Sequence, residues 1–239
     1  MRGFVSLIST LLLAAGTCFA QPAGVKTTEA KLPNGIAQYT VTNVSGQPIS
    51  ALLATISEYD GGGHFLHRLD YWQDTSIDGP LAHPPKPGES RSFRPASHSR
   101  ARRSEFRVRA VIFEDGSAEG ERDWVERLVA RRKAAHRYLT ETLEHLKRAE
   151  SVSMPETELL EELNQLKKRL KQQVDLSDIL PKGELRAIGD VFGMVNADLT
   201  LESYDGETWR KRIRRVEQRC RNMKRRIELA QPTINAMSG

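Results

Sequence analysis

The spacing of apolar residues changes once along this chain, near Ser117, and that change limits the folds open to it. Before it, apolar and polar residues alternate. Ala37, Tyr39 and Val41 alternate with Gln38, Thr40 and Thr42, and Phe106, Val108, Ala110 and Ile112 alternate with Arg107, Arg109, Val111 and Phe113. Period two is the mark of a strand with one face toward a core. After Ser117 the step becomes three or four, as in Trp124, Leu128, Ala135, Leu139 and Leu146, which fall near one side of a helix. The expected fold class is therefore α+β: an antiparallel β-sandwich of immunoglobulin-like architecture over 25–115, then an all-α helical hairpin or bundle over 118–231. The first long helix is expected to continue directly from the last strand. A disordered tail is expected over 232–239.

Turn signals divide the first half. Asn34-Gly35, Ser45-Gly46-Gln47-Pro48 and Asp60-Gly61-Gly62-Gly63 each interrupt the pattern. Between the second and third lies ISALLATIS, residues 49–57, an apolar run of strand length that reads as fully buried. Leu66–Trp72 suits another strand, and the Pro- and Gly-rich residues 79–90 suit a loop. In the second half, Met154-Pro155-Glu156 marks a break and a new helix start. Leu159, Leu163, Leu166, Leu170 and Val174 form one apolar seam, and Leu185, Ile188, Phe192, Val195 and Leu199 another. The most regular seam is Trp209, Ile213, Val216, Cys220, Met223, Ile227 and Ala230, stepping by four and three in turn.

The first twenty residues set the expected compartment. Arg2 precedes the short apolar run Phe4–Ala15, and Cys18-Phe19-Ala20 supplies small residues before a cleavage point. Residues 1–20 are read as a secretory signal peptide cleaved near Ala20, with the protein exported to the periplasm or beyond. Cleavage leaves Cys220 as the one cysteine, so no internal disulfide can form and the fold must rest on its core. Cys220 lies mid-seam and is read as a small buried hydrophobe.

The net charge of +5 favours acidic partners. Positive charge concentrates on the last helix, where Arg210, Lys211, Arg212, Arg214, Arg215, Arg219, Arg221, Lys224, Arg225 and Arg226 surround a single acid, Glu217. Arg210, Lys211, Arg214, Arg215, Arg221, Lys224 and Arg225 form the expected anion- or partner-binding surface. Export disfavours nucleic acid and leaves a protein partner, self-association through the helices, or anionic lipid. The competing expectation is that these cations pair with Glu156, Glu158, Glu161 and Glu162 on the second helix. A second basic group, Arg91, Arg94, Arg100, Arg102, Arg103, Arg107 and Arg109, reads either as an anion-binding face or as protection of a sheet edge.

Other constellations are weaker. Asp60, His64, His67, Asp70 and Asp74 are metal-ligand types, but the three-residue spacing of His64, His67 and Asp70 aligns them only on a helix, and the surrounding residues read as strand. His83 and His98 lie in expected loops. Phe65, Tyr71 and Trp72 suit either a binding patch or the core. No Gly-x-Ser-x-Gly elbow, His-Glu-x-x-His, P-loop or dinucleotide fingerprint occurs.

Val41-Thr42-Asn43-Val44-Ser45-Gly46-Gln47-Pro48-Ile49 resembles a segment of uncharacterised exported bacterial proteins with a small β-sandwich. The junction Val111-Ile112-Phe113-Glu114-Asp115-Gly116-Ser117, with Gly120, Trp124-Val125-Glu126-Arg127-Leu128 and Arg131-Arg132, is similar to the same group. The resemblance covers about residues 35–135 and implies an architecture, with no activity to carry over. The expected function is a non-enzymatic binding or structural module without a cofactor. The alternatives are attachment to an anionic membrane through the basic helix over 207–230, and a metal-dependent hydrolase with a site in the 60–83 loops.

Overall fold

The computed structural model describes residues 21–31, 37–79, 82, 84–93, 100–174, 181–200 and 208–230. The fold is α+β. Strands β1 (Val25–Lys31), β2 (Ala37–Asn43) and β5 (Ser90–Phe93) form one antiparallel sheet in the order β1-β2-β5. Strands β3 (Ile49–Tyr59), β4 (Phe65–Asp74), β6 (Arg103–Phe113) and β7 (Ala118–Gly120) form a second, in the order β4-β3-β6-β7. A single turn of helix, α1 (Thr75–Asp78), follows β4. Four longer helices complete the chain: α2 (Arg122–Val152), α3 (Glu156–Gln173), α4 (Pro181–Thr200) and α5 (Trp209–Leu229).

The two sheets face each other across a core of Val25, Val41, Ile49, Leu52, Ala54, Val108, Val111 and Phe113. Aromatic rings bridge the layers at one end. Tyr39 stacks on Phe106 at 5.0 Å between centroids, and Tyr71 meets Phe93 edge-on at 4.9 Å. Offset and edge-on pairs of this kind add to the energy of burial.

The other face of the four-stranded sheet is covered as well. Ala51, Leu53, Ala110 and Ile112 pack against Trp124 and Leu128 of α2. This explains the unbroken apolar run in β3, because a strand buried on both sides has no polar face to show. It also corrects the simple alternation expected for β6. The β3–β6 register shifts between Leu53 and Ala54, so Arg109 faces no partner residue in the ladder. Phe106 and Val108 therefore point between the sheets, whereas Ala110 and Ile112 point at α2. One extra residue in a strand reverses the phase of everything after it.

Helix α2 does not continue directly from β6. The short β7 returns along β6 first, with Ala110 opposite Gly120, and α2 starts two residues later. The apolar stripe of α2 then passes from the sheet into the helical core, where Ala135, Tyr138, Leu139 and Leu146 pack with Phe192 and Val195 of α4 and Val216 and Cys220 of α5. Ser153, with φ of 54°, ends α2 in the left-handed region, and Pro155 precedes the first turn of α3. The expected break at Met154-Pro155-Glu156 is thus a tight hairpin.

Helix α4 approaches α2 closely at Gly183, where a Cβ would lie 2.5 Å from the Arg127 carbonyl oxygen. Gly189, on the same helix, is exposed with open space around it. Two glycine-to-alanine changes on one helix should therefore act in opposite directions. Gly183→Ala is expected to destabilise by about 1–3 kcal/mol through the backbone clash, and Gly189→Ala to stabilise by about 0.5–1 kcal/mol through helix propensity. Urea denaturation followed by circular dichroism measures both. Equal effects would mean that α4 does not sit against α2 as described.

Candidate functional site

Two consecutive arginines interrupt the apolar stripe of α2. Leu128, Arg131, Arg132, Ala135 and Leu139 keep the helical step, and Arg131 and Arg132 are both fully buried. Arg132 donates from Nε to Asp74 Oδ2 at 2.7 Å and from Nη2 to Asp74 Oδ1 at 3.2 Å. Its Nη2 also reaches Ser50 Oγ at 3.1 Å. Ser50 in turn donates to the Ile112 and Phe113 carbonyls, each at 3.1 Å. Arg131 donates from Nε to Asp190 Oδ2 at 2.8 Å and from Nη2 to Asp78 Oδ1 at 2.8 Å. Asp74 also caps α1 through the Ser76 N–H at 2.9 Å. The sheet, α1, α2 and α4 thus meet in one ionic joint.

Burial sets the electrostatics of the joint. Burial pushes the Asp78 carboxyl above the ordinary aspartate range, and Arg131 offsets part of that rise. Burial works against the Arg131 cation too, but Asp190, Asp78 and Asp74 outweigh it and hold its pKa above the usual value. A buried arginine without such partners would carry a large desolvation cost. The sequence signal for this joint is the interruption itself: charged residues at apolar-stripe positions demand acids opposite them.

Beside the joint lies an open cleft of about 330 Å³, lined by Ser50, Thr75, Ser76, Phe113, Glu114, Arg226, Leu229 and Ala230. Arg226 donates from Nε to the Ser76 carbonyl at 3.2 Å and carries α5 onto α1. Burial and the nearby Arg219 lower its pKa from the usual arginine value. Chemically the cleft offers hydroxyls, a cation and an acid, suited to holding a polar group.

The regular seam of α5 is buried inside the chain's own bundle. Ile213, Val216, Cys220, Met223 and Ile227 lie in the helical core, while Trp209 is partly buried at its edge. Helix α5 lies mainly against α2 and α4, which corrects the expected pairing of its cations with α3. Among the described residues, the acid of α3 that forms an ion pair with α5 is Glu156, 3.5 Å from Arg212. Glu162 instead pairs with His145 and Arg148 of α2, and these hold its carboxyl below the ordinary glutamate range. The acids that reach α5 are mostly elsewhere. Glu150 pairs with Arg214, Asp198 with Arg219 at 2.6 Å, Glu217 with Arg221 and Glu228 with Lys224 at 3.9 Å.

Opposite the seam, Lys211, Arg214, Gln218, Arg221, Arg225 and Leu229 are all exposed and follow the helical step. Arg210 donates to Ser153 Oγ at 2.9 Å, and Arg215 to the Asp198 carbonyl at 3.3 Å. Lys211 and Arg225 have no acidic partner among the described residues. The seven expected surface residues therefore share one helix, with Lys224 half-buried and the others exposed.

The remaining candidates separate. Arg109 bonds Glu121 at 2.8 Å and Thr55 at 3.0 Å, and with Arg68 and Arg127 it surrounds the Trp124 ring at 4.2 to 5.4 Å. Arg103 pairs with Glu105. Arg94, His83 and His98 lie outside the described residues, as do the expected leader and tail. His64 pairs with Asp60 at 3.2 Å, while His67 lies 3.4 Å from the buried Glu58. No three His, Cys, Asp or Glu side chains come together as a metal site among the described residues. Phe65 is exposed, Tyr71 joins the inter-sheet core and Trp72 packs toward α2.

No family model and no curated protein matches this chain. A solved structure of the ApaA protein from Bordetella pertussis is similar over 39% of this chain and 81% of that one, at 13% identity and a TM-score of 0.24.

Two outcomes follow. Asp74→Ala should cost about 3–5 kcal/mol in urea denaturation by stranding Arg132, whereas Glu126→Ala, which breaks the exposed pair with Arg122, should leave the curve unchanged. Similar costs for both would remove the joint from its central place. Separately, burial pushes the Cys220 thiol up to about 12. In a Cys18→Ser variant at pH 8, a thiol reagent should label Cys220 only after denaturation, and rapid labelling of that native variant would contradict its burial.

Proposed function

We propose that this chain is an exported, non-enzymatic binding module that meets an acidic partner through the outer face of α5. The observation that carries the reading is the separation of the two faces of that helix. Its apolar seam is used inside the bundle, while the opposite stripe leaves Lys211 and Arg225 exposed without acidic partners among the described residues. A stripe held on a folded helix presents charge without a backbone ordering cost. The same burial of the seam takes it away from self-association, which would then use another surface.

The alternative is attachment to an anionic membrane. A helix that lies in a bilayer interface buries an apolar face there, and α5 has already committed its own. Membrane attachment would therefore rest on charge, at about 1 kcal/mol for each cation near the surface, and would vanish in salt. No described helix is long and apolar enough to cross a membrane. Export itself rests on the composition of residues 1–20. The immunoglobulin-like architecture is supported by two antiparallel sheets of three and four strands that share a core, while the kinship with exported bacterial proteins rests on the sequence resemblance over about residues 35–135.

Retention on a heparin column tests the basic stripe. The variant Lys211→Glu/Arg214→Glu/Arg225→Glu should elute at distinctly lower salt than wild type. The control Lys133→Glu/Lys147→Glu/Lys168→Glu changes net charge equally at exposed sites elsewhere and should shift less. Equal shifts would show that overall charge, not this face, governs binding. Sedimentation with phosphatidylglycerol vesicles separates lipid from an acidic protein as the partner.

A further inference from the structure

The sheet edges of this molecule are protected unequally. Strand β7 has three residues and β5 has four, too short to template much pairing. Strand β1 carries Lys26 and Glu29, both exposed. Strand β4 is different. It is ten residues long and forms the outer edge of the four-stranded sheet. It holds neither lysine nor proline, and it exposes Phe65 at 58% and Leu69 at 39%.

The charges on β4 are arranged symmetrically about Leu69. Arg68 and Asp70 flank it and point to the same side of the sheet, 3.4 Å apart. If two copies of β4 pair antiparallel about a two-fold axis at Leu69, each Arg68 lies opposite an Asp70 of the other copy. The two Leu69 side chains then meet on the opposite face, and His67 lies opposite Tyr71. Opposite charges directly across an antiparallel pair are favourable, and like charges are not. A shift by one residue would lose both ion pairs and turn Leu69 away from its mate. A two-fold contact also closes on itself and does not propagate into a fibre.

We propose that this edge is a homodimer interface, with β4 pairing antiparallel to β4 of a second copy in the Leu69-centred register to give one continuous eight-stranded sheet. The occupant is a second copy because the strand's own charge pattern is complementary to its reverse. The inference is independent of the α5 reading, since the two surfaces share no residue.

Sedimentation equilibrium of the full chain, from about 1 μM to about 1 mM, spans the affinities of weak specific association. Wild type should pass from monomer to dimer within that range. Arg68→Asp alone and Asp70→Arg alone should each weaken the dimer at least tenfold, and the double variant Arg68→Asp/Asp70→Arg should restore it. Circular dichroism confirms that each variant is folded. Should the charge variants misfold, Leu69→Lys at an exposed position still decides, because it must abolish the dimer. A monomer at every concentration overturns the proposal. So does a dimer that survives Leu69→Lys, or single charge reversals that the double variant does not rescue.

Discussion

Taking Arg131 and Arg132 out of water is the demand that shapes the centre of this molecule. A guanidinium buried on a helix stripe must be met by carboxylates in good geometry, or folding loses more than the surrounding apolar contacts return. Three acids meet it, and they come from β4, α1 and α4. Each can arrive only if its element is correctly placed. The sheet must end at Asp74, α1 must form its single turn, and α4 must lie against α2. An apolar core tolerates sliding and exchange of similar side chains, whereas an ion pair with fixed hydrogen bonds accepts one arrangement. The joint thus specifies how sheet and helices meet, even where it adds little net stability.

The outline was legible in the sequence because it depends on local periodicity. The change of step near Ser117, the buried run 49–57 and the turn at Met154-Pro155 all reflect where single residues must point. What was not legible depends on tertiary context. The shift at Arg109 leaves no local mark, since Phe106 to Phe113 reads as plain alternation while both faces of the strand are buried. The short α1 and β7 carry no periodicity of their own. The pairing of α5 is not legible in composition, because charge composition indicates that acids and bases attract, but not which helices become neighbours. Glu162 was as plausible a partner for α5 as Glu150, and packing chose Glu150.

The site was legible in the same partial way. The cations of α5 were visible as a cluster, and their exposure follows from the seam opposite them. The arginines of the joint were visible too, yet they stood out only against the stripe they interrupt. Asp74 is a metal-ligand type by sequence, and its carboxylate instead holds a guanidinium. Carboxylates answer to whichever cation is nearest, and the chain supplies its own.

Helix α2 has one further consequence. Its 31 residues run without a break from beneath the sheet to the far end of the bundle, a rod of about 46 Å at the usual rise. No glycine or proline interrupts it, and the joint clamps it near its first third. A pull on the far end of the rod therefore cannot be absorbed by bending at a hinge and must reach the sheet as torque. The geometry is that of a lever whose fulcrum is a pair of arginines.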